Sequence, residues 1–139
     1  KRPVICTRHH NEPSDKGLME YWWRGLLSKG KTEWRLLPAV ENAATIIIDK
    51  NHYDGFYQTE LENLCHRLNL NQLVIAGVVT HLCVASTVRS AFVRGFEVFL
   101  PLDCTATYNE ALQRGACAGL SHGFCHPVVH TNLIGPHGK

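Results

Sequence analysis

The sequence predicts an α/β fold in which a doubly wound, mostly parallel sheet carries helices on both faces. Short apolar segments rich in Val, Ile and Phe recur along the chain, and segments of helical periodicity separate the later ones. Strands and helices that alternate in this way imply parallel strands joined by right-handed crossovers. The predicted strands span residues 4–7, 45–49, 73–76, 96–100 and 127–130.

Three amphipathic segments predict the helices between the later strands. The first repeats apolar residues at helical spacing from Leu61 to Leu68. The second begins near Cys83 and ends at Gly95, because glycine readily adopts the left-handed conformation found at helix C-termini. The third is expected to be capped by Thr107. Together these helices are expected to cover both faces of the sheet.

The strand and helix pattern lapses between the first two strands. Residues 12–38 form a polar stretch that is punctuated by Gly and Pro and carries Trp22, Trp23 and Trp34. This composition predicts a long excursion over the ligand edge of the sheet, with a short helix inside it. The tryptophans either wall a pocket or pack the excursion against the body or a second subunit, and the sequence leaves both interpretations open.

Composition indicates a single globular domain over residues 1–139. Hydrophobic residues make up 45% of the chain, which is enough to bury a sizeable core. The net charge of +2 is small and the basic residues are scattered, so neither nucleic acid nor a membrane is expected as a partner. No apolar run reaches the ~20 residues that span a bilayer.

The cysteines indicate a reduced protein and not a disulfide scaffold. The six cysteines are spread along the chain without a CxxC pair or zinc-ribbon spacing. A chain of this length and apolar content does not need disulfide staples, so reduced thiols and a cytoplasmic location are expected.

One cysteine stands in a context that favours chemistry. Residues 74–84 run from an apolar strand through a tight turn and are expected to place Cys83 in the first turn of the following helix. Backbone N–H groups at a helix N-terminus carry partial positive charge, which stabilises a thiolate placed there. Cys83 is therefore a candidate nucleophile, and a buried structural cysteine is the alternative.

Lys50 follows directly after the β-branched strand at residues 45–49. In open α/β sheets the ligand binds at the carboxyl ends of the strands, so Lys50 and Cys83 are expected to face one crevice. An ammonium near a thiol favours the thiolate. The alternative is a solvated loop lysine.

Several motifs together resemble those of a known family. They are Asp49-Lys50, Tyr53-x-x-Phe56, Gly77-Val78-Val79-Thr80-His81-Leu82-Cys83-Val84, Thr87-x-x-x-Ala91 and Asp103-x-Thr105-Ala106. In these motifs the chain resembles the isochorismatase-like cysteine hydrolases and, among them, the nicotinamidase-type amidases. The Gly-Val-Val-Thr-x-x-Cys-Val element is far more specific than a single cysteine with a distant lysine.

The resemblance implies a catalytic Asp-Lys-Cys triad in which the cysteine attacks a carbonyl carbon. Cys83 matches the nucleophile of that triad and Lys50 its lysine. The resemblance also implies a cis peptide bond between Val78 and Val79, and an oxyanion hole made by the backbone N–H groups of Val79 and Cys83. The candidate substrate-binding side chains are Trp23, Tyr53, Phe56 and His81.

The aspartate of the triad has no counterpart in the sequence. In the family it ends the first strand, whereas residues 1–7 already resemble the second strand. Asp49, Asp54 and Asp103 match other positions, so the proton relay is assigned to none of them. A doubly wound sheet has the strand order 3-2-1-4-5-6, so an N-terminally incomplete domain would lack its central first strand. A longer parent protein, or a separate segment that completes the sheet, is expected.

The resemblance also bears on metal binding, because some nicotinamidases bind a metal just after the second strand. That place reads Thr7-Arg8-His9-His10 here, with Arg8 where an aspartate would help. His9 and His10 are therefore weak metal candidates, and a hydrogen-bonded or solvent-facing loop histidine is the alternative. No cofactor is expected to be required, and a divalent metal is left open.

These features predict a cysteine hydrolase that cleaves the C–N bond of a small planar or aromatic amide through a thioester. One alternative is hydrolysis of an enol ether, as in true isochorismatases, which often work without the cysteine mechanism. The other is a catalytically silent member that serves as a binding or scaffold protein, which the missing aspartate supports. By resemblance, the protein is expected to form a homo-oligomer and to bind a small-molecule amide.

Overall fold

The computed structural model describes residues 2–130, and the chain divides into two compact units, Lys1–Leu61 and Glu62–Lys139. Residues 1 and 131–139 of the predicted domain lie outside the described residues. Every strand pair in the described part is parallel, and helices lie between the strands along the chain. This arrangement confirms the predicted α/β class. No helix within residues 2–130 has the length and apolar character needed to cross a membrane.

The first unit is built on two parallel strands, β1 (Ile5–His9) and β2 (Ile46–Lys50). Ile5 pairs with Ile46 and His9 pairs with Lys50, so the two strands end side by side. Both strands were predicted, with ends one or two residues earlier along the chain. The carboxyl ends of β1 and β2 therefore bring His9 and Lys50 to the same edge.

Short helices interrupt the excursion between these two strands. They are α1 (Met19–Trp22), a 3₁₀ turn at Thr32–Trp34 and α2 (Pro38–Ala43). The short helix expected inside the excursion is confirmed by α1. The second helix, α2, was not predicted. Pro38 stands in its first turn, where a missing N–H breaks no helical hydrogen bond and the fixed φ favours the helix.

From Leu61 onward, strands and helices follow one another closely. In chain order they are α3 (Leu61–Arg67), β3 (Gln72–Val74), β4 (Gly77–Val78), a π-helical turn at Thr80–Val84, α4 (Ala85–Val93), β5 (Glu97–Pro101), a 3₁₀ turn at Leu102–Cys104, β6 (Thr105–Ala106), α5 (Glu110–Ser121) and β7 (His126–Val128). One sheet has the order β3-β5-β7, which confirms the order predicted for the last three strands, and β4 pairs with β6. The pair β4 and β6 was not predicted, because two residues carry too little alternation to be recognised as a strand.

The interior of the second unit surrounds β5. Val98 and Leu100 of this strand are buried, as are Val88 and Ala91 of α4 and Leu120 of α5. Each larger aliphatic side chain contributes roughly 1.5–3 kcal/mol by leaving water. Because α4 packs against β5, this core holds the start of α4, and the turn before it, on the sheet.

The start of α5 differs from the prediction. Its N-cap is Asn109, whose side-chain oxygen accepts a hydrogen bond from the N–H of Leu112 at 2.9 Å. Asn is among the strongest N-cap residues, and here it lies one residue before the helix, whereas Thr107 lies too far upstream. Thr107 is therefore not the cap, and its hydroxyl serves another contact that is described below.

Among the strands of residues 2–130, β5 has hydrogen-bonded neighbours on both sides, and every other strand, β1 and β3 included, has one on one side only. Within residues 2–130, β1 pairs with β2 alone and β3 pairs with β5 alone. Val74 of β3 is exposed. Backbone groups along such an edge can accept a further strand. The expected segment that would complete the sheet stays a prediction.

Candidate active site

Lys50 ends β2 and lies opposite His9 in the parallel register. The residue is only 5% exposed, and its Nζ donates to the carbonyl oxygen of His52 at 2.7 Å. Lysine is almost never buried without polar partners, because removing an ammonium from water is costly. The solvated-loop interpretation of Lys50 is therefore wrong, and a buried cation stands at the carboxyl end of the strand.

A hydrogen-bonded pair next to Lys50 fixes the tautomer of His9. His9 Nε2 lies 2.7 Å from Asn11 Oδ1, and Asn11 Nδ2 donates to the carbonyl oxygen of Asn51 at 3.0 Å. Because the Asn11 nitrogen faces a carbonyl, its oxygen faces His9, whose ring proton must lie on Nε2. Burial lowers the pKa of His9 and the Lys50 charge adds to this, although the Asn11 hydrogen bond opposes it. His9 is therefore a neutral imidazole beside a cation.

The side chains around His9 and His10 do not fit a divalent metal. The Nδ1 atoms of both rings are buried and have no hydrogen-bond partner among the described residues. Arg8, which stands where an acidic ligand would help, donates through Nε to Asp49 Oδ1 at 2.8 Å. In residues 2–130, side chains with metal-ligand spacing are found elsewhere, at Asp103, Cys104 and His130. His10 Nδ1 lies 4.0 Å from a carboxylate oxygen of Glu12, but no three ligand atoms gather around His9 and His10 in residues 2–130, so no chemical step is assigned to a metal.

Hydrogen bonds within the exposed cluster of Asp103, Cys104 and His130 account for its close spacing without a metal. Asp103 accepts from the backbone N–H of His130 at 3.0 Å, and its other carboxylate oxygen contacts His130 Nδ1. The side-chain hydrogen bond from His130 holds the pKa of Asp103 below its usual value. Asp103 therefore joins the end of β5 to the chain just after β7, which is a structural role.

Two of the aromatic substrate-binding candidates in the first unit, Trp23 and Tyr53, contact each other. Trp23 Nε1 donates to the Tyr53 hydroxyl at 2.7 Å, which joins the excursion to the loop after β2. Phe56 is only 4% exposed, so it packs inside that loop. Trp22 is exposed, and Trp34 lies under the Arg8 guanidinium with 3.5 Å between the carbon of that group and the ring centre. Substrate contact by Trp23, Tyr53 and Phe56 stays a prediction.

Cys83 lies in the π-helical turn Thr80–Val84, here called the Cys83 turn, between β4 and α4. The peptide bond between Val78 and Val79 is cis, as the resemblance implies. The N–H of Val84 donates to the carbonyl of Val79 at 3.3 Å, which is an i to i−5 bond, so Cys83 precedes the α-helix and does not lie in its first α-turn.

Exposure distinguishes Cys83 from Cys65 but not from Cys6, Cys117 and Cys125, which are also partly exposed. Cys83 is partly exposed, whereas Cys65 is fully buried, and its burial raises the pKa of the Cys65 thiol. Burial also raises the pKa of Cys117 and Cys125. In the described residues no disulfide joins any of the cysteines. Cys83 thus stands at the amino end of α4, where backbone N–H groups favour an anion, and its nucleophilic role stays a prediction.

The orientation of His81, in the Cys83 turn, is set by Thr107, which the sequence predicted to cap the following helix. His81 Nδ1 lies 2.6 Å from Thr107 Oγ1, and the imidazole ring meets the Tyr108 ring edge to face with 5.8 Å between the ring centres. The hydroxyl of Thr107 therefore orients His81 and does not cap α5. A threonine near a helix start gives a capping signal whether or not it caps, so sequence alone favoured the wrong role.

Thr80 and Thr105 belong to the sequence motifs without a role assigned to them, and Gln113 carried no sequence signal. Thr80 Oγ1 contacts Thr105 Oγ1 and Gln113 Oε1 inside the second unit. These residues are separated along the chain, so only folding brings them together. Lys50 belongs to the first unit and Cys83 to the second, and their expected approach stays a prediction.

Comparisons with known proteins agree with the motifs around these residues. The model of the isochorismatase domain matches residues 1–132. Nicotinamidase 3 of Arabidopsis thaliana is 34% identical over 131 residues, which cover 91% of this chain and 66% of the relative. A ureidoacrylate amidohydrolase of Methylobacterium radiotolerans is 33% identical over 101 residues, covering 71% of this chain and 39% of the relative.

Solved structures share the fold at lower identity. A cysteine hydrolase from Pseudomonas syringae superposes with a TM-score of 0.88 at 21% identity, covering 95% of this chain and 70% of that one. A pyrazinamidase/nicotinamidase from Streptococcus mutans has a TM-score of 0.81 at 21% identity, covering 91% of this chain and 75% of that one. The chain spans about two thirds or less of the curated relatives named above. Because the domain match covers nearly the whole chain, the chain belongs to the isochorismatase domain family.

Proposed function

We propose that the protein is a cysteine hydrolase that cleaves the C–N bond of a small planar or aromatic amide. The observation that carries this proposal is the partly exposed Cys83, placed between the end of β4 and the start of α4. A thiol there combines access for a substrate with N–H groups that favour the thiolate. The names of the two curated relatives, a nicotinamidase and an amidohydrolase, support amide chemistry.

The proposed reaction has two steps. The Cys83 thiolate forms a bond to the amide carbonyl carbon, the tetrahedral intermediate collapses, and the C–N electron pair leaves as ammonia or an amine after gaining a proton. Water then attacks the thioester, which releases the carboxylic acid and restores the thiol. Overall, one amide and one water become one acid and one amine.

Each remaining role in the proposal is electrostatic or positional. The backbone N–H groups of Val79 and Cys83 are proposed to hold the oxyanion, and such donors are typically worth ~3 kcal/mol of barrier each. Lys50 is proposed to stabilise the thiolate by its charge. Trp23, Tyr53, Phe56 and His81 are proposed to contact a flat substrate. The proton relay is assigned to no residue of this sequence.

Ammonia release from nicotinamide and related amides tests the proposal. The full chain is compared with Cys83→Ala and with the matched control Cys104→Ala, which removes an exposed thiol outside the site. Cys83→Ala should lower the rate by roughly 10⁴-fold or more, and Cys104→Ala should leave it unchanged. A thioester adduct of one acyl group should appear by intact mass in the wild type and in Cys104→Ala, but not in Cys83→Ala.

Two other outcomes would contradict the proposal. Turnover of an enol ether by the Cys83→Ala variant would favour isochorismatase-type chemistry without the thiolate. Binding of amides without ammonia release or adduct would favour a silent binding protein. A homo-oligomeric state and a cytoplasmic location belong to the same proposal, and sedimentation and cell fractionation test them.

A further inference from the structure

A closed ring of hydrogen bonds lies at the start of the Cys83 turn. Its members are the side chains of Thr80, Thr105 and Gln113, and Thr80 is fully buried, at 0% exposed. Thr80 Oγ1 lies 2.5 Å from Thr105 Oγ1 and 2.7 Å from Gln113 Oε1. Gln113 Nε2 lies 3.3 Å from Thr105 Oγ1, which closes the ring.

The chemistry of the three groups gives the ring a single direction. Gln113 Nε2 also lies 3.3 Å from the carbonyl oxygen of Thr105, and only an amide nitrogen can donate there, so the orientation of the Gln113 amide is determined. The Thr80 hydroxyl must therefore donate to Gln113 Oε1. Its one proton is then used, so the Thr105 hydroxyl donates to Thr80, and Gln113 donates to Thr105.

A ring of this kind is sensitive to the loss of any member. Each of the three groups donates once and accepts once within the ring, so removing one leaves two others short of a partner. An unsatisfied buried polar group is costly, and networks of this kind specify one arrangement when they are complete. The ring therefore favours one arrangement of the three side chains.

The ring joins three elements around the nucleophile. Thr80 begins the Cys83 turn, Thr105 belongs to β6, which pairs with β4 through Gly77, and Gln113 lies on α5. Both α4 and α5 pack against the Cys83 turn. The strand before Cys83, the turn that carries it and the helix behind it are thus tied at one point.

We propose that Gln113 is a positioning residue for the reaction of Cys83. Acting through Thr80 and Thr105, it sets the backbone of the Cys83 turn, and with it the direction of the thiol and of the Cys83 N–H. This inference rests on the proposed function and deepens it. A displacement of about 1 Å at a reacting group can cost roughly 100-fold in rate, so a remote glutamine can control the chemistry.

A Gln113→Glu variant separates positioning from a merely structural role. A carboxylate can accept from Thr80 but cannot donate to Thr105, whereas the protonated acid can do both. The ring should therefore break at neutral pH and re-form as the pH falls. If the glutamine merely filled space, hydrogen exchange of the Cys83 turn in this variant should match wild type at every pH, whatever the new charge does to the rate.

The other titratable groups near position 113 are not expected to produce the same pH dependence. Gln113 Nε2 donates to Cys117 Sγ at 3.4 Å, and burial raises the pKa of Cys117, so this thiol stays neutral in the range tested. Glu110 and Arg114 pair with each other at 2.6 Å on the exposed side of α5. His81, in the Cys83 turn, is common to wild type and variants, so the rates are compared as ratios to wild type.

The experiment measures Cys83 directly as well as turnover. Variants Gln113→Glu, Gln113→Leu, Thr80→Val and Thr80→Ser are compared with wild type and with the exposed control Arg114→Gln. The readouts are the iodoacetamide alkylation rate of Cys83 by peptide mass spectrometry, kcat and KM for an amide, and amide hydrogen exchange of the Cys83 turn. Melting curves show which variants are folded.

Positioning predicts a defined pattern in these readouts. Gln113→Leu and Thr80→Val should lower kcat and Cys83 alkylation by roughly tenfold or more and speed exchange in the Cys83 turn, with KM almost unchanged. Thr80→Ser, which keeps the hydroxyl, should behave like wild type. The rate of Gln113→Glu relative to wild type should rise as the pH falls from about 8 towards about 4.5, because a glutamic acid has a pKa of about 4.3 in water and partial burial raises it.

Contrary outcomes are distinguishable. Wild-type kcat, alkylation and exchange in folded Gln113→Leu would overturn the inference, as would a pH-independent ratio for Gln113→Glu. If wild-type Cys83 is alkylated no faster than Cys65 and Cys117, the proposed function fails. Hydrogen exchange of the Cys83 turn then still decides whether Gln113 holds it. Should Gln113→Leu not fold, hydrogen exchange of the Cys83 turn in Gln113→Glu, compared with wild type at each pH, carries the test.

Discussion

Lys50 and Cys83 are held in place by contacts of different range. The ammonium of Lys50 donates to a carbonyl only two residues further along the chain, at His52. The turn that carries Cys83 is tied through Thr80 to side chains 25 and 33 residues further along. The backbone of Lys50 pairs with β1, and its ammonium donates to a carbonyl of its own loop, whereas the Cys83 turn is tied by side chains from later parts of its unit.

The lengths of the two side chains explain this difference. A lysine has a long flexible stem, so its ammonium can reach a nearby carbonyl from many backbone positions. A cysteine has a single rotatable bond before sulfur, so its direction follows the backbone almost directly. Accurate placement of a thiol therefore requires a backbone locked from outside the turn, whereas a lysine needs only a local acceptor.

The largest effect is expected from removing the lysine charge. Lys50→Met keeps the stem and removes the ammonium that we propose stabilises the Cys83 thiolate. The iodoacetamide rate at Cys83 should fall roughly tenfold or more at neutral pH, because an opposite charge nearby shifts a pKa by about 1–3 units. The exposed Lys31→Met is the matched control and should change nothing. An unchanged rate in Lys50→Met would mean that the two residues do not meet.

An intermediate effect is expected from the Cys83 turn itself. Thr107→Val removes the hydroxyl that lies at hydrogen-bond distance from His81 Nδ1 and frees the ring to rotate. One hydrogen bond is worth about 1 kcal/mol, so KM for an aromatic amide should rise about fivefold with a smaller change in kcat. The exposed Thr32→Val serves as control. A fall in kcat at constant KM would instead assign Thr107 to the turn that carries the nucleophile.

The smallest effect is expected beside Lys50, at its neighbour Asp49. Partial burial opposes ionisation of Asp49. The hydrogen bonds and charges of Arg8 and Lys29 have the larger effect, so the pKa of Asp49 lies below its usual value. A carboxyl with a depressed folded pKa stabilises the fold above its unfolded pKa of about 3.9, and this contribution is lost as the pH falls through the folded pKa.

Asp49→Asn should therefore destabilise the protein at pH 7 by about 1 kcal/mol or less, since water screens part of the interaction. The difference in melting temperature from wild type should shrink in acid, once the wild-type carboxyl is protonated. Glu41→Gln, at an exposed position in α2, is the control. A larger loss, together with slower Cys83 alkylation, would show that Lys50 depends on its ion-paired neighbour and is not fixed by its loop alone.

The predictable parts of the molecule are those with a local physical cause. Strand β2 was recognisable because three consecutive isoleucines fit a buried pleated strand. The end of α4 was recognisable because glycine adopts positive φ at no steric cost, and Gly95 does have a φ of +86°. The cap of α5 was misassigned because Thr107 and Asn109 both offer capping oxygens, and only the path of the backbone decides between them.

The order of amino acids was sufficient to place Cys83 between a strand and a helix and Lys50 at a strand end, because those features depend on apolar runs and turn residues close by. Folding alone decided that Thr107 would orient His81 and that Thr80, Thr105 and Gln113 would close a ring. Hydrogen bonds between residues far apart in the chain produce no periodic pattern in the sequence, because their geometry exists only after the chain has packed.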